Sequence, residues 1–153
     1  MKVKQFMIDG VEGILPKSSI LEAAHLMKKL NIGILPVIDE NSIIIGILTD
    51  RDIVTRALAE ELASSTTIDT IMTTSVQTIK ETEEIGLALS LMAEKKIRRL
   101  PVIDDSNKLS GIISLADLAL HQLTDERAGI TLKEVSKPSN DPNNDLEVDD
   151  FPL

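Results

Sequence analysis

Two stretches of this chain carry the same arrangement of a glycine, an alcohol and an acid. The first is Gly46-Ile47-Leu48-Thr49-Asp50-Arg51-Asp52 and the second is Gly111-Ile112-Ile113-Ser114-Leu115-Ala116-Asp117. Thr-x-x-Asp and Ser-x-x-Asp at a strand-to-helix junction are helix N-caps, with the acid in the first turn facing the positive end of the helix. The same geometry also suits a ligand. A helix N-terminus offers free N–H groups to a phosphate, the hydroxyl adds a hydrogen bond, and a carboxylate can accept both hydroxyls of a ribose. Gly46 and Gly111 let another backbone or a ligand approach closely. One copy alone reads as a cap; two copies brought face to face would make two clefts, each with these groups.

Cations stand near the second copy. Arg98 and Arg99 follow directly on Lys95-Lys96 in an otherwise acidic chain. The lysines suit the C-terminal end of a helix. The arginines suit either surface pairing or phosphate, which a planar guanidinium grips with two hydrogen bonds at once. The first copy has Gly33-Ile34 at the equivalent positions, so the two clefts would be unequal. Arg51 is a further phosphate candidate, because its counterpart is Ala116. Only Phe6 and Phe151 are aromatic, so a flat apolar group of a ligand would have to lie between aliphatic side chains. Ile14, Ile34, Val76, Ile79 and Ile97 are candidate walls, with core packing as the alternative.

These groups are positioned by an internal repeat. Residues 20–52 align with 85–117 without a gap at an offset of 65, and the match reaches back to Met7 and Met72. Each unit reads β-α-β-β-α. A short strand lies near 11–15 (76–79 in the second copy). A helix follows over about 19–30, with apolar residues at Ile20, Ala23, Ala24, Met27 and Leu30 and a capping-box start at Ser19 and Glu22. Two strands, 34–38 and 43–48, join through a turn-rich loop, and a second helix starts at Thr49. The second copy has strands at 99–103 and 109–113 and a helix from Ser114. A unit of about 60 residues is marginal alone, so the two copies are expected to bury sheet surface against each other about a pseudo-twofold axis. The division is 1–62 for the first repeat, 63–69 for a linker, 70–123 for the second repeat and 124–153 for an extension. A short helical segment is expected near 130–135. From 136 onward three prolines and five carboxylates against one lysine are the composition of a flexible acidic tail.

The motif pair, Leu35-Pro36-Val37-Ile38-Asp39 with its copy Leu100-Pro101-Val102-Ile103-Asp104, and the repeated helix pattern resemble a tandem pair of CBS domains, also called a Bateman module, of the small stand-alone bacterial type. The resemblance covers residues 1–123. It implies an α+β fold of two CBS repeats, adenine nucleotides or related adenosyl ligands (AMP, ADP or ATP) in the inter-repeat clefts, and side-by-side homodimers. It also implies that Asp52 and Asp117 hold ribose, that Thr49 and Ser114 approach ribose or phosphate, and that Arg98 and Arg99 meet phosphates.

Composition excludes much else. The chain has 153 residues, no Cys, Trp or Tyr, and a net charge of −9. Such acidity argues against general nucleic-acid binding, and the lack of aromatics against base stacking. Zero cysteines exclude disulfides and thiolate metal sites. His25 and His121 have no partner at metal-ligand spacing, and no metal is expected. With no apolar run long enough to span a membrane and no leader-like start, a cytoplasmic protein is expected. No acid–base pair supports catalysis, so the chain is expected not to be an enzyme. Two functions remain. One is a nucleotide-responsive sensor that modulates an unidentified protein partner through dimer rearrangement. The other is a ligand-free structural module for dimerisation and protein interaction.

Overall fold

The computed structural model describes residues 1–120 and 125–137. Each repeat opens with a 3-10 turn, Val3–Gln5 or Ile68–Thr70. In the first repeat helix α1 (Ile20–Leu30) is followed by the antiparallel strands β2 (Ile34–Ile38) and β3 (Ile44–Thr49). Strand β3 runs straight into α2 (Asp50–Asp52), which continues as a π-helical stretch, Ile53–Leu58. The second repeat holds β4 (Ile79–Lys80), α3 (Ile85–Lys95), β5 (Arg99–Ile103), β6 (Leu109–Ser114) and α4 (Leu115–Leu120). Strand β1 (Ile8–Asp9) completes a four-stranded sheet in the order β1-β6-β5-β4.

The local reasons are repeated as well as the elements. Helix α1 begins with the capping box Ser19–Glu22, both bonds formed, and ends on Asn31 in the left-handed region; α3 ends the same way on Lys96. In both hairpin loops one aspartate oxygen orders the turn. Asp39 Oδ1 accepts the N–H of Asn41 and Ile43, and Asp104 Oδ1 accepts those of Ser106 and Lys108. The hairpins meet at an antiparallel bridge between Ile43 and Lys108, which are themselves equivalent residues. The pseudo-twofold axis therefore passes through this contact.

The repeats do not pack as two closed units. They exchange their first segments. Val3 is fully buried in the second core with Ile79, Ile85 and Met92, whereas Ile68 and Ile71 are buried in the first core with Ile20, Leu35 and Leu48. The backbone bonds obey the same symmetry. Val3 N–H donates to Glu83 and Lys4 N–H to Glu81, while Ile68 N–H donates to Ser18 and Asp69 N–H to Pro16. Ile8 pairs with Ile112 in β6, and Thr73 pairs with Ile47 in β3. The close approach open to Gly46 and Gly111 is therefore taken by backbone. A Cβ on Gly46 would lie 3.1 Å from the Thr73 carbonyl oxygen, and one on Gly111 would lie 2.5 Å from that of Ile8. The exchange also means that 63–69 is more than a tether, since its last residues form part of the first core.

Beyond the second repeat lies helix α5 (Asp125–Val135), longer than the 130–135 segment expected from the sequence. It packs on α3 and α4. The acidic tail over 138–153, and His121, lie outside the described residues.

Candidate functional site

The Gly-x-x-hydroxyl-x-x-Asp motif forms a complete capping box in both copies. Thr49 Oγ1 accepts the Asp52 N–H at 3.1 Å, and Asp52 Oδ2 accepts the Thr49 N–H at 3.0 Å. Ser114 Oγ accepts the Asp117 N–H at 3.1 Å, and Asp117 Oδ2 accepts the Ser114 N–H at 3.1 Å and the Ser114 hydroxyl as well. Asp52 is buried, with only 7% of its surface exposed. Its Oδ1 lies 3.7 Å from Arg56 Nε, and Arg56 Nη1 in turn donates to the Ile71 carbonyl at 3.1 Å and to Thr73 Oγ1 at 3.3 Å. One guanidinium thus ties the motif acid to the exchanged segment.

A cleft of about 1190 Å³ opens between the repeats beside the first motif. Thr49, Asp50 and Arg51 form one side, with Gly33 and Ile34 next to them. Residues 73–77 form another wall, bringing the hydroxyls of Thr73, Thr74 and Ser75 together with Val76 and Gln77. This wall is held in place by the paired backbone bonds between Ile47 and Thr73, both 2.8 Å. The second repeat supplies Lys95, Lys96, Ile97, Arg98 and Arg99, and α5 contributes Val135.

The cleft is strongly cationic. Arg51, Lys95, Lys96, Arg98 and Arg99 face it, against the single carboxylate of Asp50, in a chain of net charge −9. Lys95 is paired with Glu94 at 2.8 Å. Arg51, Arg98 and Arg99 make no ion pair among the described residues. Three uncompensated guanidiniums at one opening favour an anion, and a guanidinium suits phosphate by its fork geometry.

Not every expected residue reaches this cleft. Thr49, Arg51, Arg98, Arg99, Ile34, Val76 and Ile97 do. Ile14 and Ile79, expected as ligand walls, are instead buried in the two cores, because each aligns beside a fully buried residue of a neighbouring strand, Val37 or Val102. Asp52 and Asp117 are not among the wall residues; in the form described their carboxylates serve the capping boxes. Ser114 faces a separate, smaller cleft of about 520 Å³, which Arg98 and Arg99 also line. The two clefts are unlike, as expected from Gly33-Ile34 standing where the second copy has Arg98-Arg99. Two contributors went unnominated: Lys95-Lys96, read as helix-end charges, and the hydroxyl run 73–75, whose polar composition beside a strand was the available signal. His25 is exposed on α1, and no cluster of metal-ligating side chains occurs among the described residues.

Comparison with known proteins decides the family. The CBS domain model matches residues 3–59 and again 68–123. The chain belongs to the CBS domain family. The second match begins at Ile68, the residue that opens the exchanged segment. The CBS domain-containing protein YhcV of Bacillus subtilis is 40% identical over 134 residues, 88% of this chain and 94% of that protein. Two solved CBS structures are similar. The CBS domain pair of protein MJ0100, in complex with 5′-methylthioadenosine and S-adenosyl-L-methionine, has a TM-score of 0.72 and 33% identity, covering 80% of this chain and 99% of that one. CBSX2 in complex with AMP has a TM-score of 0.68 and 26% identity, covering 81% and 97%. In this CBS pair, as described, no helix is long and apolar enough to cross a membrane.

Proposed function

We propose that this CBS pair is a cytoplasmic, non-catalytic sensor that binds an adenine nucleotide in the larger inter-repeat cleft. The observation that carries the reading is the charge of that cleft: five cations from both repeats against one carboxylate. The adenosyl ligands of the two similar structures support the choice of ligand class. Phosphates would sit among Arg51, Arg98 and Arg99, with Thr49 as a hydroxyl donor. The base would lie against Ile34, Val76 and Ile97, with Gln77 near its polar edge. Asp52 would turn one carboxylate oxygen to the ribose, and Arg56 would follow that change into the wall at Thr73.

Because charge dominates the site, affinity should rise with phosphate number, ATP above ADP above AMP. A ligand touching both repeats can shift their relative arrangement only by the difference between its affinities for the two arrangements. The readout we infer is a homodimer. Val54 and Leu58 project from the π-helical stretch with 55% and 72% of their surface exposed, and Leu120 of α4 is exposed as well; large apolar side chains left open in this way suit contact with a second copy. A protein partner would sense the dimer's arrangement. Isothermal titration with AMP, ADP, ATP, NAD and S-adenosylmethionine tests the reading. Saturable heat with the phosphate-number order supports it; no heat with any of the five would leave the second reading.

That second reading is a ligand-free dimerisation and interaction module. It is favoured by one observation: both motif carboxylates are already engaged by their own caps.

A further inference from the structure

The smaller cleft differs from the larger one in chemistry and in what builds it. At the two motif positions where the larger cleft has Asp50 and Arg51, the smaller has Leu115 and Ala116. Its opposite wall is supplied by α5, through Gly129 and Leu132, and α5 lies beyond the residues matched by the CBS repeats. The space is about 520 Å³, within the range of about 300–1,000 Å³ usual for small-molecule sites. Gly129 keeps its rim open, since a Cβ there would meet nothing within 4 Å. Polar groups are confined to one end, where Arg98, Arg99 and the Ser114 hydroxyl stand. The rest is Leu115, Ala116, Ala119 and Leu132. Neither arginine has an ion-pair partner among the described residues.

An apolar slot ending in two unpaired guanidiniums has a definite complement. We propose that the space between α4 and α5 binds a small amphiphilic anion. Its anionic head lies on Arg98 and Arg99, since the Ser114 hydroxyl already donates to Asp117, and its unbranched apolar body lies between Ala116, Ala119 and Leu132. An aliphatic chain finds a matched surface, and each methylene fully buried favours binding by about fourfold. The occupant would bridge the second repeat and α5, adding to the packing of α5 on α3 and α4. Arg98 and Arg99 also line the larger cleft, so a nucleotide there would compete for them; the test is made without nucleotide and does not depend on that reading.

The test is octanoate binding to the full chain, followed by NMR of the alanine and leucine methyls. The expected result is saturable shifts at Ala116, Ala119 and Leu132 with one octanoate per chain. Butanoate, four methylenes shorter, should bind at least about tenfold more weakly. Octan-1-ol, lacking the charge, should also bind at least about tenfold more weakly, since a charged hydrogen bond is lost. Leu132→Asp should abolish octanoate binding. Ala116→Glu, at an exposed position that leaves the core untouched, should do the same if Leu132→Asp disturbs α5. No saturable shift at these methyls up to about 10 mM octanoate, weaker than the millimolar scale of a minimal site, overturns the proposal. So does equal affinity for octanoate and octan-1-ol, or undiminished binding by a folded Ala116→Glu variant.

Discussion

The carbonyl oxygen of Ile8 lies only 2.5 Å from the point where a Cβ on Gly111 would stand. That closeness is the mark of the exchange: the first segment of the chain is laid as β1 against the second repeat, over a residue with no side chain. Gly46 plays the same part under Met72 and Thr73. Gly111→Ala should therefore force backbone apart and destabilise the fold by about 1–3 kcal/mol, lowering Tm by several degrees. Gly46→Ala should cost less, because its nearest neighbour is the pliable Met72 thioether. Thermal unfolding of the two variants checks the order; a neutral Gly111→Ala would mean that β1 is not seated there.

The exchanged N-terminal segment is also tied by charge. Lys2 and the amino terminus pair with Glu84, at 2.6 and 2.7 Å, and hold its carboxyl down at about 2. Ser110, then Lys4, lowers Glu81, and Glu81 raises Lys4. Depressed carboxylates contribute above their ordinary value and lose that contribution as pH falls through their folded value; the raised lysine contributes below its ordinary value and loses it as pH rises beyond. The tie should thus be whole from about pH 5 to pH 7 and weaken in acid toward pH 2. The methyl signals of buried Val3, followed by NMR, should stay constant across that window and move toward exposed values below about pH 4. Signals unchanged down to pH 2 would contradict it.

Much of this was legible in the residues. Helix period, capping boxes and the offset of 65 fix the order β-α-β-β-α and the family resemblance. The exchange was not legible, because Val3 and Ile68 have identical local patterns and nothing local says which copy each one enters. Ile14 and Ile79 were misjudged for a related reason. Strand alternation assigns a side chain to a face without saying which face meets the core. Arg98 and Arg99 were nominated because they stand together in an acidic chain, and Arg51 because its counterpart is Ala116; all three line the larger cleft. Lys95 and Lys96 were passed over because a helix end explains them equally well. The inequality of the clefts was visible in Gly33-Ile34 against Arg98-Arg99, but the wall that α5 adds was not.

Replacing Asp52 probes its two roles together. Asp52→Ala removes the side chain that accepts the Thr49 N–H, and should lower stability by about 1 kcal/mol, the usual worth of a cap. If the carboxylate also meets ribose, ATP affinity should drop about tenfold, near the loss of one charged hydrogen bond. Calorimetry and thermal melting on the same variant separate the two. Lower Tm with unaltered affinity would leave Asp52 as a helix cap only.

Arg98→Gln and Arg99→Gln isolate the phosphate contact. Each should weaken ATP by about tenfold or more, the loss of a charge-assisted bond, while changing adenosine little. Raising ionic strength should likewise reduce ATP affinity more than adenosine affinity, since screening acts on charge. Parallel losses for ATP and adenosine would place both arginines away from the phosphates.

The most direct measurement is a calorimetric titration of the full chain with ATP, repeated with AMP and with adenosine. A cationic inter-repeat cleft that receives adenine nucleotides predicts saturable binding, strongest for ATP and weakest for adenosine, and diminished in Arg98→Gln. No saturable heat for ATP at millimolar concentrations, or equal affinity for all three, would contradict it.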